Sequence, residues 1–95
     1  MLTGKQKRYL RSIANGLKPL YQIGKDGITA NQVEGIDEYL ERKELLKIKL
    51  LETCPISKNE AAIELSAQTN SEVVQIMGNT IVLYRKSPEK IYRLP

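Results

Sequence analysis

The sequence contains no histidine, phenylalanine or tryptophan, and its one cysteine is Cys54. Histidine is the usual general base and a common zinc ligand, so its absence removes most acid–base and zinc chemistry from this chain. A single cysteine forms neither an intrachain disulfide nor a Cys–His nucleophile, which fits a reducing compartment such as the cytoplasm. We therefore expect no metal, no cofactor, no small-molecule substrate and no enzymatic activity.

Long hydrophobic stretches are also missing. No apolar run approaches the roughly 20 residues that a membrane-spanning helix needs. The first 16 residues carry four basic side chains where a signal peptide needs an apolar segment. We expect a cytoplasmic protein that contacts no membrane. At 95 residues the chain has room for one hydrophobic core, so we predict a single domain over residues 1–95.

Charge is distributed unevenly along the chain. The net charge is +4, from 15 basic and 11 acidic residues. The first 25 residues contain six of the basic residues and none of the acidic ones. These six are Lys5, Lys7, Arg8, Arg11, Lys18 and Lys25. A smaller basic cluster near the C-terminus holds Arg85, Lys86, Lys90 and Arg93, opposed only by Glu89. Such segregation is typical of a surface that binds a polyanion, although a solvated helix face paired with acidic residues elsewhere gives the same pattern.

Capping patterns mark three helix starts. Thr3, Thr29 and Ser57 are each followed three residues later by Gln or Glu, which is the spacing of a capping box. Apolar periodicity then predicts helices over residues 3–15, 30–43 and 58–69. Gly35 lies inside the second helix, where glycine costs about 1 kcal/mol relative to alanine. We take this as a sign of close approach by a neighbouring element.

Four segments between and after the helices favour strands: residues 19–23, 45–51, 73–77 and 80–85. Gly78-Asn79 has the pattern of a two-residue type II′ hairpin between the last two strands. Because Ile81 to Tyr84 are all apolar, the last strand should be central and covered on both faces. Lys47 and Lys49 alternate with leucine and isoleucine, which predicts one wet face of the sheet at that strand.

The fold class that follows is α+β, with the order α-β-α-β-α-β-β and a four-stranded mixed sheet. The β-α-β units should be parallel and right-handed, and the terminal hairpin should be antiparallel. The first helix is positioned in sequence to cover part of the second face of the sheet.

A glycine-bounded turn, Gly24-Lys25-Asp26-Gly27, lies between the first strand and the second helix. Glycine lets the main chain approach a sugar–phosphate strand closely, and the N-terminus of the following helix favours phosphate oxygens. KH domains hold nucleic acid with a loop of this pattern. By itself the pattern also describes an ordinary tight turn. Its position within the acid-free segment favours binding.

Five blocks of the sequence together resemble the bacterial YhbY family of stand-alone CRM (chloroplast RNA splicing and ribosome maturation) domains. The blocks are Lys5–Arg11, Leu17–Pro19, Ile23–Thr29, Leu46–Lys49 and Gly78–Arg85. The resemblance implies a fold similar to the C-terminal domain of translation initiation factor three. It also implies RNA binding and association with precursors of the large ribosomal subunit.

The expected site joins the two signals in one surface that contacts rRNA phosphates. It comprises Gly24, Lys25, Asp26, Gly27, Lys5, Lys7, Arg8, Arg11, Lys18 and Arg85, with Lys47 and Lys49 as weaker candidates. The central hypothesis is that the basic first helix and the glycine turn meet in three dimensions. The alternative is a protein-interaction module that docks a basic ribosomal protein through the acidic second helix.

Overall fold

Three helices and four strands follow one another in the predicted order in the computed structural model, which describes residues 1–95. The helices are α1 (Gly4–Ala14), α2 (Ala30–Lys43) and α3 (Lys58–Thr69). The strands are β1 (Tyr21–Ile23), β2 (Leu45–Leu50), β3 (Glu72–Met77) and β4 (Thr80–Tyr84). The α+β class is confirmed. No helix is both long enough and apolar enough to span a bilayer.

The helix starts follow from local hydrogen bonds. The Thr3 hydroxyl accepts the Gln6 N–H, and the Gln6 side chain accepts the Thr3 N–H in return. The Thr29 and Gln32 pair forms the same reciprocal box at α2. At α3 only half of the predicted box forms: Ser57 caps the Glu60 N–H, but the Glu60 carboxylate accepts from the Ser57 hydroxyl rather than from its backbone.

The sheet has the strand order β1-β2-β4-β3, with β1 parallel to β2 and β4 antiparallel to both of its neighbours. The prediction that the last strand is central is confirmed, because Ile81 to Tyr84 are all buried. β3 runs in the direction of β2 with β4 inserted between them. At the hairpin Gly78 has φ +57° and Asn79 has a negative φ, as a type II′ turn requires.

Two hydrophobic clusters lie on opposite faces of the sheet. The larger one joins β1, β2 and β4 to α2 and α3 through residues such as Ile23, Ile36 and Leu65. The smaller one packs Leu10 and Ala14 of α1 on the second face. The prediction of a wet face at β2 is therefore correct only in part. Lys49 is exposed, whereas α1 covers the face at the start of the same strand.

Gly35 does meet a close neighbour, as predicted. A Cβ atom at this position would lie 3.0 Å from the Tyr21 hydroxyl oxygen, and the Tyr21 ring atoms follow at 3.4 and 3.5 Å. The missing side chain thus lets α2 pack directly against the aromatic ring of the edge strand β1.

After β4 the chain turns back across the start of α1. We call residues 86–95 the C-terminal tail. The Ile91 N–H donates to Glu44 Oε2 at 2.6 Å, and Gln6 Nε2 donates to the Pro95 carbonyl at 3.2 Å. Tyr92 and Leu94 pack against the smaller core cluster. These contacts fix the tail at the end of the sheet where β2 begins.

Candidate nucleic-acid interface

The glycine loop, residues 24–27, is a tight turn closed by a hydrogen bond of 2.9 Å from the Gly27 N–H to the Gly24 carbonyl. Gly27 has φ +65°, in the left-handed region that disfavours residues with a Cβ atom. The two middle residues, Lys25 and Asp26, are exposed at the tip. The turn therefore presents one positive and one negative side chain to solvent.

The loop leads directly into the N-terminus of α2. Thr29 caps the Gln32 N–H and its carbonyl accepts from Val33, so the N–H groups of Ala30 and Asn31 have no acceptor within the protein. These groups and the positive end of the helix dipole lie next to the loop. Together they form a position where an anionic oxygen is favoured.

The glycine loop lies at one end of the sheet, which we call the loop end. Ile23, the last residue of β1, is paired with Leu50 at the end of β2, and the Leu50 N–H donates to the Asn79 carbonyl at 2.7 Å. The hairpin and the glycine loop therefore share this end. The opposite end, where Leu45 pairs with Tyr84, is the tail end.

Helix α1 runs from the tail end toward the middle of the sheet. The Leu2 N–H donates to Glu72 Oε1 at 3.0 Å, which places the start of α1 at the tail end. Lys47 Nζ donates to the carbonyls of Ala14 and Leu17 at 3.2 and 3.4 Å, which places the end of α1 over the middle of β2. The expected convergence is thus wrong for Lys5, which lies in the first turn at the tail end, and for Arg8, which at 100° per residue points away from the sheet.

The two flanks of α1 face different surroundings. Gln6 and Tyr9 lie on the flank beside the C-terminal tail, where Gln6 reaches Pro95 and Tyr9 lies close enough to Tyr92 to raise its pKa further. At 100° per residue, Lys7 and Arg11 lie on the other flank, above the part of the sheet that α1 leaves uncovered. Both side chains are half-buried.

We call this uncovered part, toward the loop end, the open sheet face. It comprises Gln22, Lys49, Gln75, Met77 and Thr80. Lys49 is at its centre because its register partners are Gln22 on β1 and Thr80 on β4. It shares the α1 side of the sheet with Lys47, since residues two apart on a strand point the same way. The sequence ranked Lys49 as a weak candidate, and the structure gives it a central position.

Two of the predicted site residues have structural contacts instead. Arg85 is only 17% exposed in its side chain and bridges α2 and α3. Its Nη1 atom lies 2.6 Å from both Asp37 Oδ1 and the Thr69 carbonyl, while Nη2 lies 3.3 Å from Glu41 Oε1. Lys47 caps the last turn of α1. The prediction that Arg85 is a phosphate contact does not agree with this arrangement, because its charge is already neutralised by two carboxylates.

The remaining cations are free of carboxylate partners. The ion pairs of the structure both involve Arg85. The six basic residues of the first 25, together with Lys49, are therefore unpaired. The acidic helix α2 packs on the opposite face of the sheet from α1. The sheet thus separates the positive side of the molecule from the negative side.

These features define a small α+β domain with a glycine loop and an unpaired basic surface on one side of a mixed sheet. Residues 2–85 match the CRS1 / YhbY (CRM) domain, and the chain belongs to this family. The family resemblance recognised in the sequence is thereby confirmed.

Several relatives span nearly the whole chain. The "Probable RNA-binding protein YqeI" of Bacillus subtilis is 49% identical over 89 residues, covering 94% of this chain and 93% of that protein. A protein of Haemophilus influenzae named "RNA-binding protein" is 32% identical over 94 residues, covering 99% and 95% of the two chains. The solution structure of SAV1595 from Staphylococcus aureus superimposes with a TM-score of 0.84 at 51% identity, over 100% of both chains.

Proposed function

We propose that the protein acts in the cytoplasm as a non-catalytic RNA-binding factor that associates with precursors of the large ribosomal subunit. The observation that carries this proposal is the set of unpaired cations on the face of the sheet away from the acidic helices, next to the end of the sheet where the glycine loop lies. The names of the relatives from Bacillus subtilis and Haemophilus influenzae support RNA as the ligand.

The proposed interface has three parts. The glycine loop places a phosphate near the free N–H groups of α2, and Lys25 adds a mobile charge. Lys49 and Thr80 on the open sheet face offer one cation and one hydroxyl to the same strand of RNA. Lys7 and Arg11 border this face from α1. Phosphate contacts of this kind position RNA without reading its sequence.

Gly24 and Asp26 complete the loop side of the proposed interface. Asp26 does not itself attract phosphate. Its carboxylate makes the tip of the loop less positive than Lys25 alone would make it. Lys18 is exposed in the segment that joins α1 to β1, but it lies beside Leu45 and Lys47 near the start of β2, outside the loop-side contact. Lys5, in the first turn of α1, and Arg8, which points away from the sheet, also lie outside the loop-side contact.

A charge-reversal experiment tests the loop-side contact. Lys25→Glu combined with Lys49→Glu should weaken binding to a large-subunit rRNA transcript in a filter-binding assay. It should also reduce the log–log salt slope by roughly 1.4 to 1.8, since each phosphate contact contributes about 0.7 to 0.9. The matched control is Lys43→Glu with Lys58→Glu, which changes the net charge equally on the α2 and α3 side. If both pairs lowered the affinity equally, the charge of the whole protein rather than this surface would govern binding.

Sucrose-gradient sedimentation of cell extract tests the ribosomal assignment. The protein should co-sediment with large-subunit precursors and leave that fraction after RNase treatment. Sedimentation only with free RNA or with small-subunit particles would contradict the assignment.

The alternative of a protein-docking acidic helix has less support. Two of its four carboxylates, Asp37 and Glu41, are already paired with Arg85, which leaves Glu34 and Glu38 free. Retention of a basic ribosomal protein as bound partner after complete RNase digestion would favour this alternative over RNA binding.

A further inference from the structure

A second cationic region lies at the tail end of the sheet, away from the glycine loop. A cavity of about 660 Å³ opens between the start of α1 and the C-terminal tail. Three basic side chains of the tail, Lys86, Lys90 and Arg93, line it. All three residues are exposed, and none pairs with a carboxylate.

The acidic groups in the cavity wall form no ion pair with these cations. Glu44 is 1% exposed, and its two oxygens accept from the Ile91 N–H and the Tyr84 hydroxyl. Glu72 accepts from the Leu2 N–H. Both carboxylates thus face hydrogen-bond donors within the protein, and the basic side chains face the solvent.

The tail is held by specific contacts and is not a loose extension. Glu44 adopts φ +68°, a strained backbone for a residue with a Cβ atom, and its buried carboxylate holds Ile91 at 2.6 Å. The hydroxyl of Ser87 also bonds to the Glu41 carbonyl. A buried carboxylate on a strained backbone is unfavourable unless its hydrogen bonds offset the cost. Here those bonds fix the position of three cations.

The tail also lies beyond the segment that matches the family, which ends at residue 85. Its cations continue the basic residues at the start of α1, since Lys5 lies on the tail flank of that helix and Gln6 contacts Pro95. The positive surface therefore extends across α1 from the open sheet face to the tail.

We propose that the tail end is a second phosphate-binding contact for the same RNA, so that the RNA crosses α1 and extends from the glycine loop to Lys86 and Arg93. This inference rests on the proposed function. The six residues of β2 separate the two ends by about 20 Å. At the roughly 3.4 Å per phosphate that one strand of a duplex has along its axis, a stem of about six base pairs is needed to reach both contacts.

RNA length tests the inference. Two hairpins with stems of 4 and 14 base pairs are compared by fluorescence anisotropy, because only the longer one spans both ends. Lys86→Glu combined with Arg93→Glu should lower the affinity for the long hairpin about tenfold or more. It should also reduce the salt slope by roughly 1.4 to 1.8. Binding of the short hairpin at the glycine loop should change by less than about twofold. Lys90 is left unchanged because its φ is +51°.

A variant that is expected to bind RNA more tightly controls for loss of binding through misfolding. Glu89 is exposed, and its side chain makes no hydrogen bond or ion pair. Glu89→Lys should therefore raise the affinity for the long hairpin alone, which an unfolded tail would not do. Docking of the tail is followed through Tyr92, whose pKa burial raises above the usual value of 10.0.

The possible outcomes separate the two proposals. If the wild-type protein binds neither hairpin, the proposed function itself is wrong. If it binds both, and the tail variants leave the long hairpin with wild-type affinity and salt slope, the second contact is wrong. Equal loss for both hairpins would also overturn it, because the two ends would then not be separate contacts.

Discussion

Replacing Glu44 by glycine tests whether the carboxylate at this position stabilises the protein more than its backbone destabilises it. Glu44 ends α2 with φ +68°, where a residue with a Cβ atom costs about 1 kcal/mol or more relative to glycine. Glycine, which lacks a Cβ atom, adopts this backbone (φ +68°, ψ −40°) without that cost. A side chain that is 1% exposed and carries a carboxylate is therefore unexpected there unless its contacts offset that cost.

The contacts set the size of the effect. A hydrogen bond to a charged group contributes about 1.5 to 3 kcal/mol, and the 2.6 Å bond to Ile91 falls in that range. The bond from the Tyr84 hydroxyl is 3.3 Å long, so we assign it less than about 1 kcal/mol. Losing both costs about 2 to 4 kcal/mol, and glycine regains about 1 kcal/mol from the backbone. We expect Glu44→Gly to destabilise by about 1 to 3 kcal/mol and Glu44→Ala by about 1 kcal/mol more.

Urea unfolding followed by far-UV circular dichroism measures these differences. With a slope of about 1 to 3 kcal/mol per molar urea, the glycine variant should lower the midpoint by roughly 1 M. Asn70→Gly is the matched control, because Asn70 ends α3 at φ +51° and is exposed. That variant should leave the stability nearly unchanged. A Glu44→Gly protein more stable than wild type would refute the reasoning, since the carboxylate would then contribute less than the backbone strain.

Three further changes test other parts of the structure. Burial, together with the nearby Glu44 carboxylate, raises the pKa of Tyr84 from 10.0 to about 12. The folded state therefore keeps this proton while the unfolded chain loses it, and the free energy of unfolding falls between about pH 10 and pH 12, by at most about 3 kcal/mol. Urea titrations across this range should show a smaller fall for Tyr84→Phe, and an identical fall would contradict the assignment. Gly27→Ala should cost about 1 to 2 kcal/mol in thermal unfolding because of its φ of +65°, and a melting temperature equal to wild type would show that the turn relaxes. Arg85→Met should lower stability by about 2 to 3 kcal/mol through the unpaired Asp37 and Thr69 groups. The folded Arg85→Met variant should bind RNA like wild type in filter binding, and a selective loss of affinity would return Arg85 to the interface.

Local features of this fold could be predicted from sequence because they depend on neighbouring residues. The caps at Thr3 and Thr29 fix where α1 and α2 begin, and the apolar run from Ile81 to Tyr84 identifies the central strand. The contact partners of long side chains could not be predicted in this way. Arg85 meets Asp37 across 48 positions of sequence, and Lys47 reaches Ala14 across 33. Contacts between residues so far apart in sequence depend on how the helices pack. The charge pattern of the sequence does not indicate that packing.

The same reason explains what the sequence missed in the candidate interface. The acid-free segment indicated a positive surface, but which flank of α1 faces the open sheet face depends on the tail. Lys49 lies at the centre of the open sheet face because α1 stops short of the loop end. The alternation of Lys47 and Lys49 held part of this information, since both residues point to the face on which α1 packs. The sequence did not indicate that Glu44 anchors the C-terminal tail, because its partner Ile91 lies 47 residues away.

The two edge strands of the sheet, β1 and β3, affect whether copies of the molecule can pair edge to edge when many of them are concentrated on one polymer. β1 has only three residues and follows a proline, and β3 carries an irregular register between Val73 and Gln75. Short or distorted edge strands offer no regular row of backbone hydrogen-bonding groups to a strand from a second molecule. Crowding along a nucleic-acid chain would bring such edge strands together often. The interruption in β3 therefore disfavours a continuous sheet formed from the edges of neighbouring copies.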